Sequence, residues 1–127
     1  MGMGRCHTIM KIAVQVIEGP YNNQASDSAY HFITAALARG HEIVGVFFYH
    51  NGVMNVCNTA NPPQDDRNIQ KRWGELGREN KIDIVACIAA SKRRGICADH
   101  VVEGARVSGL GQLTNMTIEA DRLITFG

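Results

Sequence analysis

The sequence lacks an excess of charge of either sign: thirteen Lys and Arg stand against twelve Asp and Glu, a formal +1. No long-range field therefore draws the chain to nucleic acid, an anionic membrane or a highly charged partner, and any partner must be chosen by local contacts. Long apolar runs are missing too. The longest are strand-length, and Met1 to Met10 carries Arg5, Cys6 and His7 where a signal peptide has its apolar core, so neither a membrane span nor a secretory leader is expected and a cytoplasmic location is. No basic stripe is interleaved with aromatics, which argues against direct nucleic-acid binding. Cysteine is sparse and irregular, at 6, 57, 87 and 97, with no CxxC pair, zinc ribbon or dense disulfide framework. In a reducing compartment all four are expected as thiols. Cys97-Ala-Asp-His100 offers half a metal site without a matching half at ligand spacing, so no metal is expected.

What is present suffices for one hydrophobic core: 127 residues, 45% of them hydrophobic. The patterned sequence starts at Met10, so residues 1–9 are expected to be an extension and 10–127 the domain. Lys11 to Ile17 is short, apolar and β-branched and stops at Gly19-Pro20, as a doubly buried strand does. Ala25, Ala29, Phe32, Ile33, Ala36 and Leu37 form the one-sided stripe of a helix that Gly40 closes. Glu42 to Tyr49 predicts a second strand, followed by a rather apolar loop through Cys57. Pro62-Pro63 with Asp65 and Asp66 predicts the start of a second helix, with Ile69, Trp73 and Leu76 inward and Gly74 and Gly77 weakening it. Ile82 to Ile88 is a third strand, Ala89 to Arg94 a helical turn stopped by Gly95, and Arg106-Val107 a short strand. Ser108 is placed to cap a helix carrying Leu110, Leu113 and Thr117, and Arg122 to Phe126 is the last strand.

Strands alternating with helices at these lengths imply a single doubly wound α/β domain, with a mostly parallel sheet of about five strands and helices on both faces. In such sheets functional groups gather beyond the carboxyl ends of the strands. Cys87 stands there, just before a strand-to-helix junction with Lys92, Arg93 and Arg94 nearby, a setting that favours the nucleophilic thiolate. The competing reading is packing, since free cysteine is among the most buried residue types. Arg93 and Arg94 are candidates to stabilise an anionic sulfur, or simply complement a helix C-terminus. Cys97, ten residues on, is a possible auxiliary thiol, and Cys57 is a weaker candidate. His50 stands at a strand end, where an acid or base could reach the crevice. Ser108-Gly-Leu-Gly111 completes neither a dinucleotide fingerprint nor a P-loop.

Several segments, in order from Met10 to Phe126, together resemble the TusD/DsrE sulfur-relay family: Glu18-Gly-Pro-Tyr21, Gln24-Ala-Ser-Asp-Ser-Ala29, Gly40-His-Glu-Ile43, Val46-Phe-Phe-Tyr49 with Gly52-Val53, Cys87-Ile-Ala-Ala90 with Arg93-Arg94-Gly95, Ser108-Gly-Leu-Gly111 and Asp121-Arg122. The resemblance implies a sulfurtransferase without a cofactor, accepting sulfane sulfur as a persulfide on Cys87 from an upstream donor and passing it to a downstream thiol carrier. It also implies a heterohexamer with related DsrF/DsrH-like or TusC/TusB-like subunits, serving sulfur oxidation or tRNA 2-thiouridine formation; Pro62 to Arg67 leans towards the former. The stretch between Gly95 and Ser108 is shorter than the family pattern, and Cys97 stands where an aliphatic residue is usual. The rival expectation is a non-catalytic structural subunit with a silent Cys87. A flavodoxin-like cofactor binder, the third reading, predicts a coloured protein.

Overall fold

A computed structural model describes residues 9–20, 24–57, 69–96 and 100–127. Among these residues five strands, β1 (Lys11–Val16), β2 (Glu42–Phe48), β3 (Asp83–Cys87), β4 (Ala105–Ser108) and β5 (Arg122–Phe126), form one sheet in the order β4-β3-β2-β1-β5. Every neighbouring pair is parallel. Among the described residues four α-helices, α1 (Ala25–Ala38), α2 (Ile69–Asn80), α3 (Ile88–Arg93) and α4 (Leu110–Glu119), lie in the connections. This is the doubly wound α/β architecture expected from the alternation of periods along the chain.

Strand alternation decides which helix meets which face. Val46 and Phe48 of β2 and their register partners Ile84 and Ala86 point one way. There Phe48 meets the Trp73 ring edge-on at 5.0 Å, and Trp73 in turn meets Tyr30 of α1 at 5.7 Å, so α1 and α2 share that face. The Trp73 indole Nε1–H donates to Ser26 Oγ at 3.0 Å, which gives the buried ring a partner for its polar edge. Gly45 and Phe47 point the other way with Val85. A Cβ on Gly45 would lie 2.7 Å from Met116 Cε, so the missing side chain is the space that α4 uses to seat its buried methionine. Phe47 and Phe48 are both core, on opposite faces, as strand geometry requires.

The stripe on α1 buries Ala25, Ala29, Ile33 and Ala36, and Gly40 ends it in the left-handed region at φ 85°. In α2, Gly74 and Gly77 are close-approach points. A Cβ at Gly74 would collide with the Glu103 carbonyl, and one at Gly77 would lie 2.6 Å from Ile84 Cγ1. The propensity lost at two helical glycines is thus exchanged for contact with β3 and with the segment leading into β4.

Three expectations change. The stretch after β2 is a 3-10 helix, His50–Val56, rather than a loop. The Asn55 amide nitrogen donates to Gly52 O and Glu18 O, both at 2.9 Å, and holds that turn. Ile88 is not strand: it opens α3, so β3 ends at Cys87. Ser108 does not cap α4 either. It stays in β4 because its backbone pairs with Cys87, and Gly109 is the cap position, without a side-chain bond. The expected helix start at Pro62 to Asp66 lies outside the described residues, as does the Pro62 to Arg67 leaning.

Candidate functional site

Cys87 is the last residue of β3 and the N-cap of α3, with φ −65° and ψ 125°. Its register partner on β4 is Ser108. The apolar strand Asp83–Cys87 carries it to the carboxyl edge of the sheet, where the short helix begins at once. The side chain is buried, at 1% exposure, among the core residues. It forms no capping hydrogen bond with the first turn of α3.

Burial along α3 is one-sided. Cys87, Ala90 and Ser91 are buried and Arg94 is half-buried, the i, i+3, i+4, i+7 pattern of a single inward face, while Ile88, Ala89, Lys92 and Arg93 are exposed. Arg94 fastens this face to the 3-10 helix. Its Nε and Nη2 donate to Asn51 Oδ1 at 3.1 and 2.9 Å, and Nη1 donates to Ala90 O at 3.0 Å. Of the two arginines proposed for an anionic sulfur, Arg94 therefore shares the helix face of Cys87 with donors already engaged, and Arg93 stands on the solvent side.

Two buried polar atoms beside this junction have no partner: Ser91 Oγ and Asn55 Oδ1. Neither is marked by a motif in the sequence. The four-residue spacing from Cys87 to Ser91 was visible, but nothing in the sequence shows that a serine in a helix is buried without a hydrogen bond.

The other candidates disperse. Cys57 is buried at the end of the 3-10 helix, where it bridges Val101. Cys97 lies outside the described residues. His50 is exposed, in the left-handed region at φ 52°, and its ring stacks on Tyr49 at 4.0 Å. Ser108, Gly109, Gly111, Gln112 and Asn115 line a cleft of about 330 Å³ at the start of α4, beside the strand partner of Cys87. A second cleft, about 510 Å³, opens at the opposite end of the sheet between Phe32, Arg39, His41 and Arg122. At that end Arg106 Nε and Nη2 grip Asp83 at 2.9 and 2.8 Å, and this hydrogen bond raises the Arg106 pKa above its ordinary value. Among the described residues no three metal-ligating side chains cluster, and no helix is long and apolar enough to cross a membrane.

Comparison with known proteins joins this geometry to a lineage. DsrE of Allochromatium vinosum, a candidate sulfurtransferase, is 51% identical over 129 residues, covering 93% of this chain and 99% of the relative. Sulfurtransferase TusD of Yersinia pestis is 34% identical over 123 residues, 87% of this chain and 94% of that one. The crystal structure of the ychN protein from E. coli has the same fold, with a TM-score of 0.80 at 20% identity, over 93% of this chain and 100% of that one. A model of the DsrE/DsrF-like family matches residues 10–126. With that match spanning the sheet, its helices and the Cys87 junction, the chain belongs to the DsrE/DsrF-like family.

Proposed function

We propose that this chain is the sulfur-carrying subunit of a sulfur relay, a sulfurtransferase that holds sulfane sulfur as a persulfide on Cys87. Relatives named sulfurtransferases at 51% and 34% identity support the relay role. The observation that carries the assignment to one residue is position: Cys87 is the described cysteine at a strand carboxyl end that opens directly into a helix.

The step is a thiol exchange. The Cys87 thiolate attacks the outer sulfur of a donor R–S–SH, a new S–S bond forms at Sγ, the donor S–S bond breaks and R–S⁻ leaves with its electron pair. The proton stays on the transferred sulfur, and oxidation states balance without a cofactor. An acceptor thiolate then attacks the outer sulfur of Cys87–S–SH in the same way. A cytoplasmic, reducing setting keeps Cys87 available. The subunits envisaged as partners are related chains in a hetero-oligomer, with an upstream persulfide donor and a downstream carrier. Exposed Leu110 and Ile118 on α4 and Leu123 on the neighbouring face of β5 supply apolar surface for such contacts.

Burial at 1% exposure favours one rival, a structural subunit in which Cys87 only packs. Incubation of the purified chain with glutathione persulfide separates the two. The relay reading expects one added sulfur on the peptide containing Cys87 and none there in Cys87→Ser. Equal uptake by wild type and Cys87→Ser contradicts it.

A further inference from the structure

We propose that the Ser91 hydroxyl is a hydrogen-bond donor to the sulfur carried on Cys87. This rests on the relay reading above and adds a residue to it.

Ser91 is fully buried, at 0% exposure, and its Oγ has no hydrogen-bond partner. A buried hydroxyl without a partner forfeits its hydration for nothing, so native structures retain few, and those they do retain call for a reason. A serine inside a helix ordinarily satisfies itself by bonding back to the carbonyl four residues earlier, here that of Cys87. Ser91 does not do so.

Its position says what it serves. Cys87 and Ser91 stand four residues apart on the single inward face of α3, with Ala90 between them and Arg94 one turn on. Side chains on a helix lean towards its N-terminus, so Ser91 covers the turn in which Cys87 lies. The Cys87 sulfur itself is not a partner of Oγ. A persulfide places a second sulfur about 2.0 Å beyond Sγ. That added atom, anionic once its proton is lost, is the acceptor the hydroxyl lacks.

The other groups nearby do not offer this bond. Asn55 Oδ1 is equally unpartnered, but it can only accept, and the amide nitrogen of Asn55 is committed to Gly52 O and Glu18 O. Arg94 is only half-buried, and each of its three guanidinium nitrogens is already bonded to Asn51 or Ala90. Arg93 is on the exposed face. Ser91 is thus the uncommitted buried donor on the face that carries the thiol.

The test compares wild type, Ser91→Ala and Ser91→Thr after loading with glutathione persulfide, following sulfur on Cys87 by mass spectrometry and stability by urea unfolding. Ser91→Ala is expected to fold at least as stably, because an unpaired hydroxyl is removed. It still accepts sulfur, but loses it roughly tenfold faster to added thiol, the weight of one hydrogen bond to a charged group. The pH midpoint of that loss moves upward, whereas Ser91→Thr, which keeps a hydroxyl, stays near wild type in both rate and midpoint. Identical lifetimes and pH profiles in wild type and Ser91→Ala overturn the proposal while leaving the relay reading intact. Absence of sulfur from Cys87 in wild type overturns both.

Discussion

A thiol at 1% exposure whose two following residues, Ile88 and Ala89, lie in solvent is close to the surface along the chain yet closed off from it. The consequence is measurable at the single residue. Cys87 in the folded chain should react with iodoacetamide about two orders of magnitude more slowly than in the urea-unfolded chain, because alkylation waits for a local opening. Comparable rates would show that the thiol is not protected. Trp73 marks the opposite kind of residue, one committed wholly to the core. It is fully buried, contacts Phe48 and Tyr30 and donates to Ser26. Trp73→Ala should cost about 3–5 kcal/mol in urea unfolding, from lost burial and the cavity left behind. A cost below 1 kcal/mol would contradict this packing.

At the scale of elements, α3 is the weak part of the site. Six residues do not make a stable helix alone, so its order depends on the inward face and on Arg94. Arg94→Ala removes the bonds to Asn51 and Ala90 and should speed alkylation of Cys87 about tenfold, with little change in the global unfolding midpoint. An unchanged alkylation rate would mean that α3 does not gate the thiol. The elements also show what a sequence discloses. β1, β2, β3, α1 and β5 were legible because their periods of two and 3.6 are set by burial, which acts residue by residue. The 3-10 helix was not, since it is held by Asn55 reaching Glu18, a contact 37 positions apart in the chain. Residue preference points to Ser108 as the cap of α4, and tertiary pairing of Ser108 with Cys87 overrides that preference. Cys87 could be named from the sequence, whereas its burial and the unpaired hydroxyl of Ser91 exist only once β3, α3 and the 3-10 helix are packed together.

Across the whole molecule, the parallel sheet divides the labour. One face is sealed by α1 and α2 around Trp73, and the other is covered by α4 around Met116, with Leu110, Ile118 and Leu123 left exposed on that side. The carboxyl edge holds Cys87, and the near-neutral charge leaves encounter with a donor or acceptor to shape and apolar contact rather than to steering. A carrier must both take sulfur and give it up, so uptake alone does not establish the role. The decisive measurement is a single-turnover chase: load the intact chain with radiolabelled sulfur, remove the donor, add a thiol acceptor protein and follow the label. The account predicts that label on the Cys87 peptide falls as label on the acceptor rises in equal amount, and that a Cys57→Ser chain behaves like wild type. Label that never reaches Cys87, or that stays there while the acceptor remains empty, would contradict it.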